Sequence, residues 1–128
     1  MYTTTGINTS ATIVAPAGAE IKGVIGKAIK FDASGNAILA STAGEAVMGI
    51  AVLTHADTVA RGEDVTIQVK EIGKAVAGGA IAKGDELAVK ADGTLVKASE
   101  GQFVIATALQ AATGAGQIIN VQITKYYK

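Results

Sequence analysis

Two stretches decide the fold: Gly26–Ser41, which reads GKAIKFDASGNAILAS, and Gly84–Ser99, which reads GDELAVKADGTLVKAS. Each is a short apolar run, a glycine-centred turn and a second apolar run. Asp92-Gly93 between two such runs signals a hairpin, because both residues tolerate positive φ. Ser34-Gly35-Asn36 occupies the same place in the first stretch. Five of the 16 aligned pairs are identical: Gly26/Gly84, Ala33/Ala91, Gly35/Gly93, Ala40/Ala98 and Ser41/Ser99. Ile29/Leu87, Phe31/Val89 and Ile38/Val96 keep apolar character.

The repeat continues downstream in the same order. Gly44–Val52 (GEAVMGIAV) lies over Gly101–Leu109 (GQFVIATAL), and Gly62–Val69 (GEDVTIQV) over Gly116–Ile123 (GQIINVQI). Val65–Lys70 and Ile119–Thr124 alternate apolar and polar residues with the period of a strand. Turn residues recur at Arg61-Gly62-Glu63-Asp64 and Gly114-Ala115-Gly116. Strands this closely spaced indicate a mainly β fold, a small β-barrel or β-sandwich of β-tulip or β-clip type, built from two duplicated β units. The repeats span about 26–69 and 84–123 of a single β domain over residues 21–128. The halves are expected to pair about a pseudo-twofold and share one core. Short helical pieces are expected at most near Thr54–Ala60 and Gly79–Lys83.

Residues 1–20 read as an extended N-terminal arm outside the duplication. Ala15-Pro16-Ala17-Gly18 marks a turn or a break, and Thr3–Val14 is rich in β-branched residues and free of charge. Such a segment suits addition to the sheet edge of another chain; an unstructured terminus is the other reading.

Composition removes several function classes. The chain has 128 residues, 11 basic and 11 acidic side chains, and no net charge. A phosphate-bound nucleic-acid protein would carry a basic excess. No apolar run reaches the roughly 18 residues of a membrane span, and the first ten residues lack the pattern of a signal peptide. Ala (25) and Gly (16) leave Ile, Val and Leu to fill the core, since aromatics number five. Neutral, Gly-rich chains of this kind associate readily.

The search for chemistry returns little. Cysteine is absent and His55 is the only imidazole, so neither a thiolate site nor a clustered metal site is indicated. Glu45, Glu63, Asp64, Glu71, Asp85 and Glu86 flank turns and read as solubilising strand ends. No phosphate-binding loop, nucleophile elbow or calcium loop occurs. Lys90 beside the Asp92-Gly93 turn lacks the context of a swinging-arm lysine. Tyr126-Tyr127 should face opposite ways, one toward the core and one toward a partner, or else cap the last strand. Catalytic, cofactor and metal residues are therefore expected to be none.

Ala75–Val96 (AVAGGAIAKGDELAVKADGTLV), Phe103–Leu109, Gly114–Gln117 and the last alternating strand together resemble the decoration or cement proteins of tailed-phage capsids. Gly78, Ile81, Gly84 and Asp85 carry that family's Gly-x-x-Ile-x-x-Gly-Asp turn. Met48-Gly49-Ile50-Ala51 keeps its strand glycine, which Ala106 replaces in the second copy. The resemblance covers about residues 20–125. It implies a non-enzymatic virion protein, made in the host cytoplasm and placed on the outer head surface, commonly as a homotrimer. Its partner would be the major capsid protein, with no cofactor, nucleic acid or membrane. Some related proteins form the base of head fibres. Tyr2, Thr3, Thr4, Thr5, Ile7, Thr9, Thr12, Ile13 and Val14 are the expected capsid contacts, and deleting 2–14 should weaken binding while sparing the fold. A β-clip module for carbohydrate or a small ligand is the rival, recognisable by a pocket with convergent polar groups; an enzyme subunit ranks last.

Overall fold

The computed structural model describes residues 10–54 and 57–128, without the side chains of 53 and 54. Ten strands follow one another: β1 (Thr12–Pro16), β2 (Ala28–Phe31), β3 (Ala37–Leu39), β4 (Gly49–Thr54), β5 (Asp64–Gln68), β6 (Ile72–Val76), β7 (Glu86–Val89), β8 (Leu95–Lys97), β9 (Phe103–Ala108) and β10 (Ile118–Tyr127). They form two antiparallel five-stranded sheets in a small sandwich-like fold. The first sheet runs β1-β5-β4-β2-β3 and the second β6-β10-β9-β7-β8. No helix occurs among the described residues. At the two places where helical pieces were expected, single antiparallel bridges form instead, Ile21 with Val59 and Ile81 with Ala112.

The two sheet orders are one order written twice, strand for strand. Ala28↔Ile50 and Ile29↔Gly49 in the first half become Glu86↔Thr107 and Leu87↔Ala106 in the second. Neither sheet closes into a barrel. The end of the first strand meets the third through one parallel bridge only, Ala17↔Ala37 and its copy Ala77↔Leu95.

The duplication reaches further upstream than its sequence blocks. β1 is the counterpart of β6: Ala15 pairs with Val65 as Ala75 pairs with Ile119. Residues 12–21 thus belong to the first repeat rather than lying outside it. Ala15-Pro16-Ala17-Gly18-Ala19-Glu20-Ile21 lies over Ala75-Val76-Ala77-Gly78-Gly79-Ala80-Ile81, at a shift of 60 where the downstream block has 58. Pro16 masked the match. A proline is tolerated there because β1 is an edge strand and its missing N–H costs no ladder bond.

The expected single core is replaced by two large clusters and a small third one of Ala88, Ala98 and Val104. Val24, Ile29, Val59, Val65 and Ile67 pack within the first half. Leu87, Val89, Leu95, Ile105, Ile119 and Val121 pack within the second. Each curled sheet buries its own inward residues, since alternate positions point to one face. Ala28, Ala40, Val47 and Ile50 of the first half are the exceptions, being buried in the second cluster.

The turn carboxylates do structural work beyond solubility. Asp32 Oδ1 accepts the amides of Ser34 and Asn36, each at 2.9 Å. Glu45 accepts the amides of Ser41 and Thr42 at 2.7 Å and the Lys30 amine at 2.8 Å. Asp85 and Glu63 each close a turn by accepting the amide three residues upstream, from Ala82 and Ala60. Side-chain acceptors of this kind satisfy turn amides that have no ladder partner.

Candidate interaction surface

The seam between the halves defines the surface. Ala28 N–H donates to Gly93 C=O at 2.8 Å, Val76 N–H to Gly26 C=O at 2.9 Å, and Gly44 N–H to Val89 C=O at 2.9 Å. Gly93 must be glycine here. Its φ is +84°, and a Cβ would stand 3.1 Å from Leu39 and 3.3 Å from Lys27. A pseudo-twofold would repeat each contact with the halves exchanged. The exchanged contact, Gly35 against Glu86, is not made, and a Cβ on Gly35 would meet nothing within 4 Å. The halves therefore join head to tail, which corrects the expected pseudo-twofold.

Beside the seam, between β4 and β6, lies a groove of about 300 Å³ lined by Ile25, Gly26, Ala51, Val52, Gln68, Gly73, Lys74 and Ile118. Its polar groups are already committed. The Gln68 amide donates to the carbonyls of Lys70 and Ile72, both at 2.9 Å. Lys74 Nζ donates to Asn120 Oδ1 at 3.0 Å. A Cβ on Gly73 would press on the Gln68 amide, with Oε1 2.1 Å away. The groove thus offers apolar surface rather than the converging polar side chains of a ligand module.

Large apolar side chains stand exposed around the molecule. Ile72 and Ile118 are 61% and 60% exposed, and Val14 on the outward face of β1 is 59% exposed. Such residues on a small domain, with Ile118 lining the groove beside the seam, suit contact with protein rather than with solvent.

The expected contact residues divide in two. Thr12, Ile13 and Val14 pair with Gln68, Ile67 and Thr66 of the chain's own β5. A deletion of 2–14 would therefore remove most of a strand, and a fold-sparing deletion has to stop before residue 10. Tyr2, Thr3, Thr4, Thr5, Ile7 and Thr9 lie outside the described residues, as does His55. Among the described residues no group of three His, Cys, Asp or Glu could hold a metal ion. Lys90 is exposed and leans on the Gly78 carbonyl at 3.3 Å.

The paired tyrosines were legible as an end feature, but their partners were not. The Tyr126 hydroxyl donates to Glu86. That bond, with help from Lys128, holds the Glu86 carboxyl below its ordinary range and pushes the Tyr126 phenol above its own. Tyr127 packs edge-on against Phe103, with ring centroids 5.2 Å apart. β10 reaches these places through an irregularity at Lys125, whose φ is +50°.

The model of a family described as phage cement protein matches residues 52–123. Among solved structures, the N base of the head fiber gp8.5 of bacteriophage phi29 has the same fold. The TM-score is 0.66 at 21% identity, over 91% of this chain and 98% of that one. No curated protein matches the sequence.

Proposed function

This chain belongs to the phage cement protein family, and from that premise we propose that it is a mechanical clasp on the outside of a tailed-phage head. It works by position and catalyses nothing. Its partner is the major capsid protein, whose neighbouring subunits it bridges in the mature, expanded lattice. It acts as a homotrimer, so that several weak contacts per particle add to one strong attachment. By binding the expanded shell in preference to the unexpanded one, it stabilises that state through mass action. The contacts are residues Tyr2, Thr3, Thr4, Thr5, Ile7 and Thr9, continued by Thr12, Ile13 and Val14 at the free edge of β1. An unpaired edge is a ready template for a strand from another chain. The protein is made in the host cytoplasm and ends on the virion.

The observation that supports this reading most is the family match, joined to a surface that offers apolar contact and no converging chemistry. A second role, as the base of a head fibre, is favoured by the likeness to the phi29 head-fiber base.

The test mixes purified protein with undecorated expanded heads. Co-sedimentation and a raised head-disruption temperature are expected, and removal of residues 2–9 should weaken both. Absence of co-sedimentation overturns the reading. Sedimentation of the free protein tests the trimer separately.

A further inference from the structure

In the first half, four positions are covered by the second half. Ala28 donates to Gly93, Gly44 donates to Val89 and accepts from Phe103, and Ala40 and Val47 are buried in the second half's cluster. The repeat assigns each a counterpart: Glu86, Gly101, Ala98 and Val104. Tyr126–Lys128 touches all four counterparts: Ala98 and Val104 are buried, Glu86 is half-buried and Gly101 stays exposed. Gly101 N–H donates to Lys128 C=O at 3.2 Å, and Lys128 N–H to Gln102 C=O at 2.9 Å. Lys128 Nζ reaches the Ala98 carbonyl at 3.4 Å. Glu86 holds the Tyr126 hydroxyl and, at 3.4 Å, the Lys128 amine. Ala98 and Val104 are buried with Ala88 as a small cluster of their own.

The departure of the chain explains why only the second half has this cover. Glu71 and Lys125 occupy the same repeat position, and both take positive φ, +74° and +50°. After Glu71 the chain leaves to begin β6. After Lys125 it runs on along β9 past a register shift, pairing Tyr126 with Val104 and Tyr127 with Phe103.

We propose that Tyr126–Lys128 is an intramolecular cap over a docking face for a second copy of this chain. On the first half, the surface matching the one that the second half uses in the seam is open. Pro16, Gly35 and Ala46, the counterparts of Val76, Gly93 and Phe103, are all exposed, although Pro16 lacks the N–H that Val76 donates to Gly26. With the cap lifted, the Gly35 turn of one copy takes the place beside Glu86 of the next, as Gly93 sits beside Ala28 within the chain. A head-to-tail contact adds copies until a ring closes or a filament grows. The cap therefore limits association through this face. The inference rests on the contacts within the chain and is independent of head binding.

The test is sedimentation velocity over a concentration series on three full-length variants. Tyr126→Gly/Tyr127→Pro detaches the cap. Its weight-average mass should rise about twofold or more across the series while the parent's stays constant. Glu86→Ala, which installs the residue that the first half carries, frees both side-chain clamps without touching the backbone and should act in the same direction. Adding Ser34→Trp, which places bulk on the exposed turn of the opposing face, should return both to the parent's behaviour. Constant mass in both uncapped variants overturns the proposal. So does growth that Ser34→Trp leaves unchanged, since that would be unspecific adhesion of newly exposed apolar surface.

Discussion

Gly93 accepts the Ala28 amide at 2.8 Å, whereas Gly35 and Glu86, which hold the same places in the other halves, do not meet. Two glycines at one repeat position, with nearly equal φ of +82° and +84°, thus have unequal surroundings. A sequence repeat has become a directional contact.

That inequality is measurable. Alanine at either glycine costs about 1 kcal/mol for the left-handed backbone. Gly93→Ala also presses on Leu39 and Lys27, adding ~1–2 kcal/mol. Urea unfolding should place Gly93→Ala clearly below Gly35→Ala; equal midpoints would mean that the seam tolerates a side chain.

Ile50 is fully buried in the second half's cluster, while its counterpart Thr107 is only half-buried. Ile50→Thr therefore gives the first half the residue that the second half tolerates. We expect a loss of about 2–3 kcal/mol, from lost apolar contact and an unpartnered hydroxyl. The reciprocal Thr107→Ile should change stability much less in the same assay.

Gln68 is 8% exposed, and its amide bridges two carbonyls at the crossing from β5 to β6. Gln68→Leu has nearly the same volume but leaves the carbonyls of Lys70 and Ile72 without that donor. A cost of about 2 kcal/mol is expected. Hydrogen exchange should show the loss concentrated at the start of β6.

Acid should weaken the Glu45 turn. Burial alone would raise this carboxyl, but the hydrogen bonds from Lys30, Ser41 and Thr42 outweigh it and hold it below the ordinary glutamate range. A group depressed in the folded state contributes stability above its unfolded pKa and loses that contribution as pH falls through the folded one. Glu45→Gln should therefore be less stable than the parent at neutral pH, with the gap closing below about pH 4. Urea midpoints at neutral and acid pH give the comparison, and a gap that stays constant would remove the carboxylate from the explanation.

Val14→Asp and Ile72→Asp place a charge on outward apolar positions. Neither position is buried, so stability should move by no more than about 0.5 kcal/mol. If these faces touch the head, co-sedimentation with expanded heads should fall. Unchanged binding by both would move the contact elsewhere on the molecule.

Much of this architecture was legible in local pattern. Period-2 alternation in Val65–Lys70 and Ile119–Thr124 gave the central strands, Asp92-Gly93 gave a hairpin, and three ordered blocks gave the duplication. β1 escaped notice because Pro16 resembled a break and the shift changed from 58 to 60. The exposed apolar surface was barely legible. Ile72 and Ile118 carry no mark that separates them from core isoleucines, since exposure depends on the strands laid beside them.

Strand period, turn chemistry and repeat order are properties of neighbouring residues, so the chain's letters alone settle the β class, the two matched units and membership of a family defined by such patterns. The direction of the seam, the division into two cores and the seat of Tyr126–Lys128 depend on residues such as Ala28 and Gly93, or Glu86 and Tyr126, which are far apart along the chain. Identical local signals at Gly35 and Gly93 are compatible with either direction. Only packing in three dimensions, where one face is already filled and its copy is not, makes the choice.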